Sequence, residues 1–307
     1  MKNSNIPWCH DTLNFWIGCS HAIVPESVSA TGKAHESPEC RACYAERKMD
    51  SRLHKVVWGK NGTRYKVKSA IANARKSNKL AQKTGERRRI FCQSLSDTFE
   101  KFEGVDDTGN PINLEDWRNE LFALIEECTH VEWLLLSKHL FDRMAVGEDW
   151  RDLVPESWRD RFPDNVRIGC TGGTQETYDY RVKLMQQIPA KNFVSAEPML
   201  EKIDFRLDKY KVDWLILGGQ SKQGSLPTEK FDFEWAIDCI YQCKIHALAK
   251  TKSYETRCNP AFFFKQAGSS PHYFGVPIKL GDRNGEDLSD PLIPKILKVR
   301  EFPQNNY

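Results

Sequence analysis

The chain has 307 residues, 40% hydrophobic and 28% charged, a balance that excludes intrinsic disorder and suits a globular protein with a substantial core. Ten cysteines without a charged-then-apolar leader argue against a secreted disulfide scaffold and for a reducing, cytoplasmic setting, and no apolar run approaches the ~18 residues of a membrane span. The net charge of +3 hides an asymmetry, because residues 55–89 hold twelve Lys or Arg against one acid, Glu86.

Short apolar runs rich in β-branched and aromatic residues predict strands at Phe15 to Gly18, Ile90 to Ser94, Val131 to Ser137, Val166 to Cys170, Asn192 to Ala196, Asp213 to Gly218 and Ala261 to Lys265. They are apolar throughout, as strands covered on both faces should be. Amphipathic stretches between them predict helices at Leu114 to Glu127 after Asn113, Tyr178 to Ile188, and Phe233 to Ala249 after Asp232. The basic segment 55–89 reads either as a phosphate-facing surface or as a solvated, Lys-rich helical face. This alternation predicts an α/β protein, a full or partial parallel (β/α) barrel over residues 1–268, with a doubly wound open sheet as the alternative. Past Gly268 the turn signal Asp282-Arg283-Asn284-Gly285 predicts an appended hairpin or loop in residues 269–307.

Working residues of a barrel sit just beyond its strands. Here those positions are polar: Cys19; Ser94, Ser96 and Asp97; Ser137 and Lys138; Thr171 and Gln175; Glu197; Gln220 and Ser221; Lys265 and Gln266. Lys138 and Lys265 follow strongly apolar strands, where an ammonium either meets a carboxylate or phosphate or snorkels past the rim.

Cys40-Arg-Ala-Cys43 places two thiolates where one tight turn brings both to the same point. With Cys19 they make three, which on a four-iron cluster leaves one iron open to a substrate or cofactor. The competing readings are a closed zinc site completed by Cys9, His10 or His21, and plain buried thiols. Cys239 and Cys243, four apart on a predicted helix beside Trp235, Ile240 and Leu248, read as core; Cys92, Cys128 and Cys170 read as structural.

Several blocks in one order carry a family resemblance: Trp8, Thr12, Asn14, Trp16, Gly18 and Cys19; CRACYAER from Cys40; Trp58-Gly59; CQSLSDTFE from Cys92; LLLSKHLFDRM; SAEPML from Ser195; WLILGGQS from Trp214; and FFFKQAG from Phe262. The chain thereby resembles the phage and prophage three-Cys-motif family, a radical-SAM-like domain found beside the three-Cys-motif partner protein. The resemblance implies a barrel of the radical S-adenosylmethionine type, a [4Fe-4S] cluster on Cys19, Cys40 and Cys43, and S-adenosylmethionine cleaved to a deoxyadenosyl radical. It also implies an electron donor of the flavodoxin or ferredoxin type. Gly218, Gly219, Glu197, Tyr44 and Gln175 are then the candidates for binding the cofactor, and Lys138, Asp97 and Lys265 face the substrate, a nucleotide or nucleic acid by the basic segment.

Two departures from the family pattern stand out. Residues 20–39 intervene where the family has a handful, an insertion after the first predicted strand whose extra closure cost is only ~1 kcal/mol. Gln220 follows the glycines where an acid is expected, which makes Glu197 the better acidic candidate. The alternative function is a non-catalytic zinc-binding protein that grips nucleic acid.

Overall fold

A computed structural model describes residues 4–249 and 260–303. Seven strands form one sheet: β1 (Asp11–Leu13), β2 (Arg89–Cys92), β3 (Glu132–Ser137), β4 (Val166–Thr171), β5 (Lys191–Ala196), β6 (Trp214–Gly218) and β7 (Ala261–Gln266). Spatial order equals chain order, and β1–β2, β2–β3, β5–β6 and β6–β7 pair in parallel. A doubly wound sheet reverses its order at a switch point, so the sequential order removes that alternative and is compatible with a partial (β/α) barrel. Every residue of β4 and β6 is buried, which is why these strands read as continuous apolar runs.

By contact density the chain divides into two units, Met1–Gly169 with Ile188–Lys191, and Cys170–Gln187 with Asn192–Tyr307. In the first, helices α1 (Ala70–Thr84), α2 (Leu114–Glu127) and α3 (His139–Ala145) follow β1, β2 and β3. Asn113 caps α2 as expected, its side chain accepting from the Glu115 N–H. Helix α1 buries Ala70, Ala74, Ser77 and Ala81 on one face and ends at Gly85, left-handed at φ 70°.

The strand expected at Phe15 to Gly18 is not the first strand of the parallel sheet. That place belongs to β1, whose Asp11 pairs with Ile90 and Leu13 with Cys92. Asn14 turns the chain away: its Oδ1 accepts from the Leu95 N–H at 2.7 Å, and the next N–H, of Phe15, goes to Gln93 Oε1 at 2.6 Å. Trp16–Ile17 then pairs antiparallel with Thr63–Lys66 in a separate four-stranded sheet. Asp11 disguised β1, since a buried acid is unexpected in a strand; Ser77 at 2.7 Å and Arg88 at 3.1 Å satisfy it.

The insertion is itself a hairpin. Ile23–Val24 pairs with His35–Glu36, and the Ser37 N–H closes its base on the Ala22 carbonyl at 2.9 Å. Its tip, from Glu26 to Ala34, is mostly exposed. The chain between Ala22 and Ser37 thus leaves and returns at nearly one point.

In the second unit, α4 (Gln175–Met185) and α5 (Phe233–Ala249) follow β4 and β6. Helix α4 starts and ends three residues earlier than predicted, because Thr174 and Thr177 form a reciprocal capping box. A C-terminal hairpin is present, Pro271–Tyr273 against Val276–Pro277 with its turn at Phe274 and Gly275, and the turn read at Asp282 to Gly285 is present as well, the Gly285 N–H donating to the Asp282 carbonyl at 3.2 Å. Among the described residues, no helix is long and apolar enough to cross a membrane.

Candidate functional site

The loop carrying Cys19 is fixed on both sides. Gly18, at φ 106°, lies so close to the next strand that a Cβ there would meet the Thr63 carbonyl oxygen at 2.7 Å, so only glycine fits. Beyond it the Gly59 N–H donates to the Cys19 carbonyl at 3.0 Å and the Ser20 N–H to Glu100 Oε1 at 2.5 Å. Glu100 is held in turn by Arg64, both side chains fully buried, with Nη2 at 2.6 Å. These contacts bring Trp58-Gly59 and the end of the Cys92 to Glu100 stretch against the Cys19 loop.

Cys40 closes the short 3-10 turn Pro38–Cys40, and Cys43 donates its N–H to the Cys40 carbonyl at 3.1 Å before the one-turn helix Tyr44–Glu46 begins. Cys43 packs against a core of Ile17, Ala45, Met49, Val56 and Leu95. Burial pushes the Cys40 thiol up to about 11 and raises those of Cys19 and Cys43. Negative charge on Cys40 raises Cys19 further, and Cys43 does the same to Cys40, while the Lys138 ammonium favours the thiolates of both Cys40 and Cys43. The three sulfurs and Lys138 therefore share one electrostatic neighbourhood.

Their spacing is informative. Among the described residues, the one group of three metal-binding side chains whose donor atoms all lie within 4.8 Å is Cys19, Glu100 and His139. The three cysteine sulfurs are more widely spread. A single tetrahedral zinc with bonds of about 2.3 Å would need its sulfurs roughly 3.8 Å apart. Nor does Glu100 offer a free ligand, since both oxygens accept from Arg64 and one also from Ser20. Cys9, His10 and His21 are engaged elsewhere: Cys9 with Ser4, His10 with Glu86, and His21 between Glu36 and Glu46.

Asp97 lies past β2 with both oxygens occupied. Oδ1 accepts from the Ser137 hydroxyl at 2.7 Å and the Phe99 N–H at 3.0 Å; Oδ2 accepts from the Lys138 N–H at 2.9 Å and the His139 N–H at 3.4 Å. It fixes the entry to α3 and with it Lys138 and His139. Tyr44 is 43% exposed and donates its hydroxyl to the Ser94 carbonyl. His139, Arg64 and Glu100 were missed from sequence; the first is one residue from Lys138, and a buried Arg–Glu pair leaves no local signature.

In the second unit, Lys265 Nζ lies 2.9 Å from Glu197 Oε1, and the Ser195 hydroxyl is 3.4 Å from the other oxygen. Gly219 serves packing, because a Cβ would meet the Ala267 carbonyl oxygen at 2.4 Å; at Gly218 it would lie 3.0 Å from Glu197 Oε1. The Gln175 amide joins the start of α4 to the Asp204 backbone, and Gln220 Oε1 accepts from the Glu229 N–H. Cys239 and Cys243 are free thiols buried on α5 and share a side-chain hydrogen bond.

Residues 55–89 do not form one charged surface. Arg64 is buried, and Lys66, Arg75 and Arg88 are paired with Glu120, Glu127 and Asp11. Along α1, Lys76, Lys79 and Lys83 face solvent at helical spacing on one side, beside the exposed Arg75–Glu127 pair.

Fold and site together define an α/β protein of sequentially ordered parallel strands, with one buried and two half-buried cysteines beside the loops that leave β2 and β3. The chain belongs to the family described as a protein of unknown function (DUF5131), whose model matches residues 3–286. No curated protein and no solved structure matches it.

Proposed function

We propose that the protein is a cytoplasmic radical S-adenosylmethionine enzyme that modifies a nucleotide or nucleic acid, with Cys19, Cys40 and Cys43 holding a [4Fe-4S] cluster. The observation that carries this reading is the donor set: three thiols from two segments, Cys40 buried and Cys19 and Cys43 half-buried, within electrostatic reach of one another, with Lys138 beside Cys40 and Cys43. Three thiolates fit a four-iron cluster that keeps one iron for a cofactor. The chemistry such a group supplies when bound is one-electron reductive cleavage of the sulfonium of S-adenosylmethionine.

The chain's own residues hold and neutralise. Lys138 offsets the thiolate charge of Cys40 and Cys43, and Asp97 sets the direction in which Lys138 leaves β3. Tyr44, Gln175, Glu197, Gly218 and Gly219 are assigned to cofactor binding, Lys265 to the substrate, and Lys76, Lys79 and Lys83 to phosphates. A flavodoxin- or ferredoxin-type donor and the three-Cys-motif partner protein complete the proposed partners.

The test is iron and sulfide analysis with an absorption spectrum on protein purified without oxygen, beside Cys40→Ala. About four irons per chain, lost in the variant, supports the reading. Colourless protein that carries zinc even after reconstitution with iron and sulfide refutes it in favour of the zinc-binding alternative.

A further inference from the structure

His139 faces Cys19 and has no part in the function proposed above. Its Nε2 lies 3.4 Å from Cys19 Sγ and 3.0 Å from the Ser20 carbonyl oxygen. A carbonyl oxygen only accepts, so the second contact fixes a proton on Nε2. That nitrogen therefore offers the sulfur an N–H, not a lone pair for a metal.

Both partners are held by the same scaffold. The His139 N–H is tied to Asp97, and Ser20 to Glu100 and Arg64. The Cys19 thiol donates to the Ser20 carbonyl at 2.8 Å. Ligation removes that proton and leaves a thiolate with Nε2–H already beside it.

We infer that His139 is a positioning residue whose Nε2–H donates a hydrogen bond to the Cys19 sulfur and raises the reduction potential of the iron–sulfur centre held there. The inference rests on the function proposed above. A donor at a ligand sulfur stabilises the reduced, more negative cluster, and the half-buried setting of both residues limits competition from water. The effect has a sign that bulk alone does not produce, because an apolar replacement lowers the potential and a neutral donor restores it.

The experiment is a redox titration, followed by electron paramagnetic resonance, of the reconstituted wild type, His139→Leu and His139→Gln. It is paired with nitrogen NMR of the metal-free wild type to read the His139 tautomer. The expected result is a roughly tenfold fall in the reduced fraction at fixed potential for His139→Leu, about 59 mV for one electron, largely recovered in His139→Gln. Loss of the cluster in His139→Leu with retention in His139→Gln also supports the donor role. Equal potentials in wild type and His139→Leu overturn it, as does loss of the cluster from both variants, which would make His139 a ligand. The Nδ1–H tautomer in the metal-free protein overturns it independently of iron. Wild type that loads no cluster while showing the Nε2–H tautomer overturns the proposed function and leaves the hydrogen-bonding assignment standing.

Discussion

Arg64 and Glu100 form an ion pair withdrawn from water, and the carboxylate oxygen nearest Arg64 Nη2, at 2.6 Å, also accepts the Ser20 N–H at 2.5 Å. The guanidinium is further satisfied by the Thr63 and Gly59 carbonyls and the Ser20 hydroxyl, and it stacks 3.8 Å from the Phe102 ring centroid. Removing one partner strands a buried charge, so Arg64→Met is expected to cost about 3–5 kcal/mol in urea denaturation. Arg64→Met with Glu100→Leu should recover much of that stability, since an apolar pair of similar volume is often as stable. It should not recover iron loading, because the Ser20 N–H beside Cys19 would remain unheld. Full loading in the double variant would show that the pair serves stability alone.

Asp97 gives a second contrast. Asp97→Ala leaves the Ser137 hydroxyl and the Lys138 N–H without their acceptor and should cost about 2–3 kcal/mol; Asp97→Asn keeps one accepting oxygen and should cost about half that. For a residue that positions Lys138 and His139, iron content and stability should fall together in the two variants. A large loss of turnover in Asp97→Asn with iron content and denaturation midpoint unchanged would instead make Asp97 a residue that touches substrate.

Six of the seven sheet strands were legible because each is covered on both faces and so is apolar without alternation, as Trp214 to Gly218 shows. Strand β1 was not, since Asp11 and Thr12 stand among its three residues and only distant partners, Ser77 on α1 and Arg88 just before β2, make the acid tolerable. The cysteines could be read from spacing, but their setting could not. Arg64 and Glu100 lie 36 positions apart, and His139 meets Cys19 across 120. Composition also does not say which cations of residues 55–89 are already engaged: Arg64 is buried in its pair with Glu100, and Lys66, Arg75 and Arg88 lie against neighbouring acids.

The insertion should be dispensable. Val24 and His35 face each other across an antiparallel pair, so residues 25–34 can be replaced by Asn-Gly, which closes a two-residue hairpin without moving either strand. Shortening the loop changes its closure entropy by only about 1 kcal/mol. The expected outcome is unchanged iron content and a denaturation shift within that margin. Loss of iron from a folded deletion variant would mean that the tip, and not only its paired base, holds the cysteine loop.

If nucleic acid is the substrate, the exposed face of α1 is where phosphates should be met. Lys76, Lys79 and Lys83 project from one side, while Ala70, Ala74, Ser77 and Ala81 anchor the other, so charge reversal on the exposed side leaves the packing intact. Each phosphate neutralised by a lysine releases counterions and contributes about −0.9 to the slope of log affinity against log salt for duplex DNA. Replacing the three lysines by glutamate should therefore flatten that slope by roughly three and weaken binding at low salt most. Fluorescence anisotropy with a labelled oligonucleotide across a salt series measures both. A triple variant with the wild-type slope would move the phosphate contacts off this helix, and undetectable binding by the wild type at low salt would remove nucleic acid in favour of a small nucleotide.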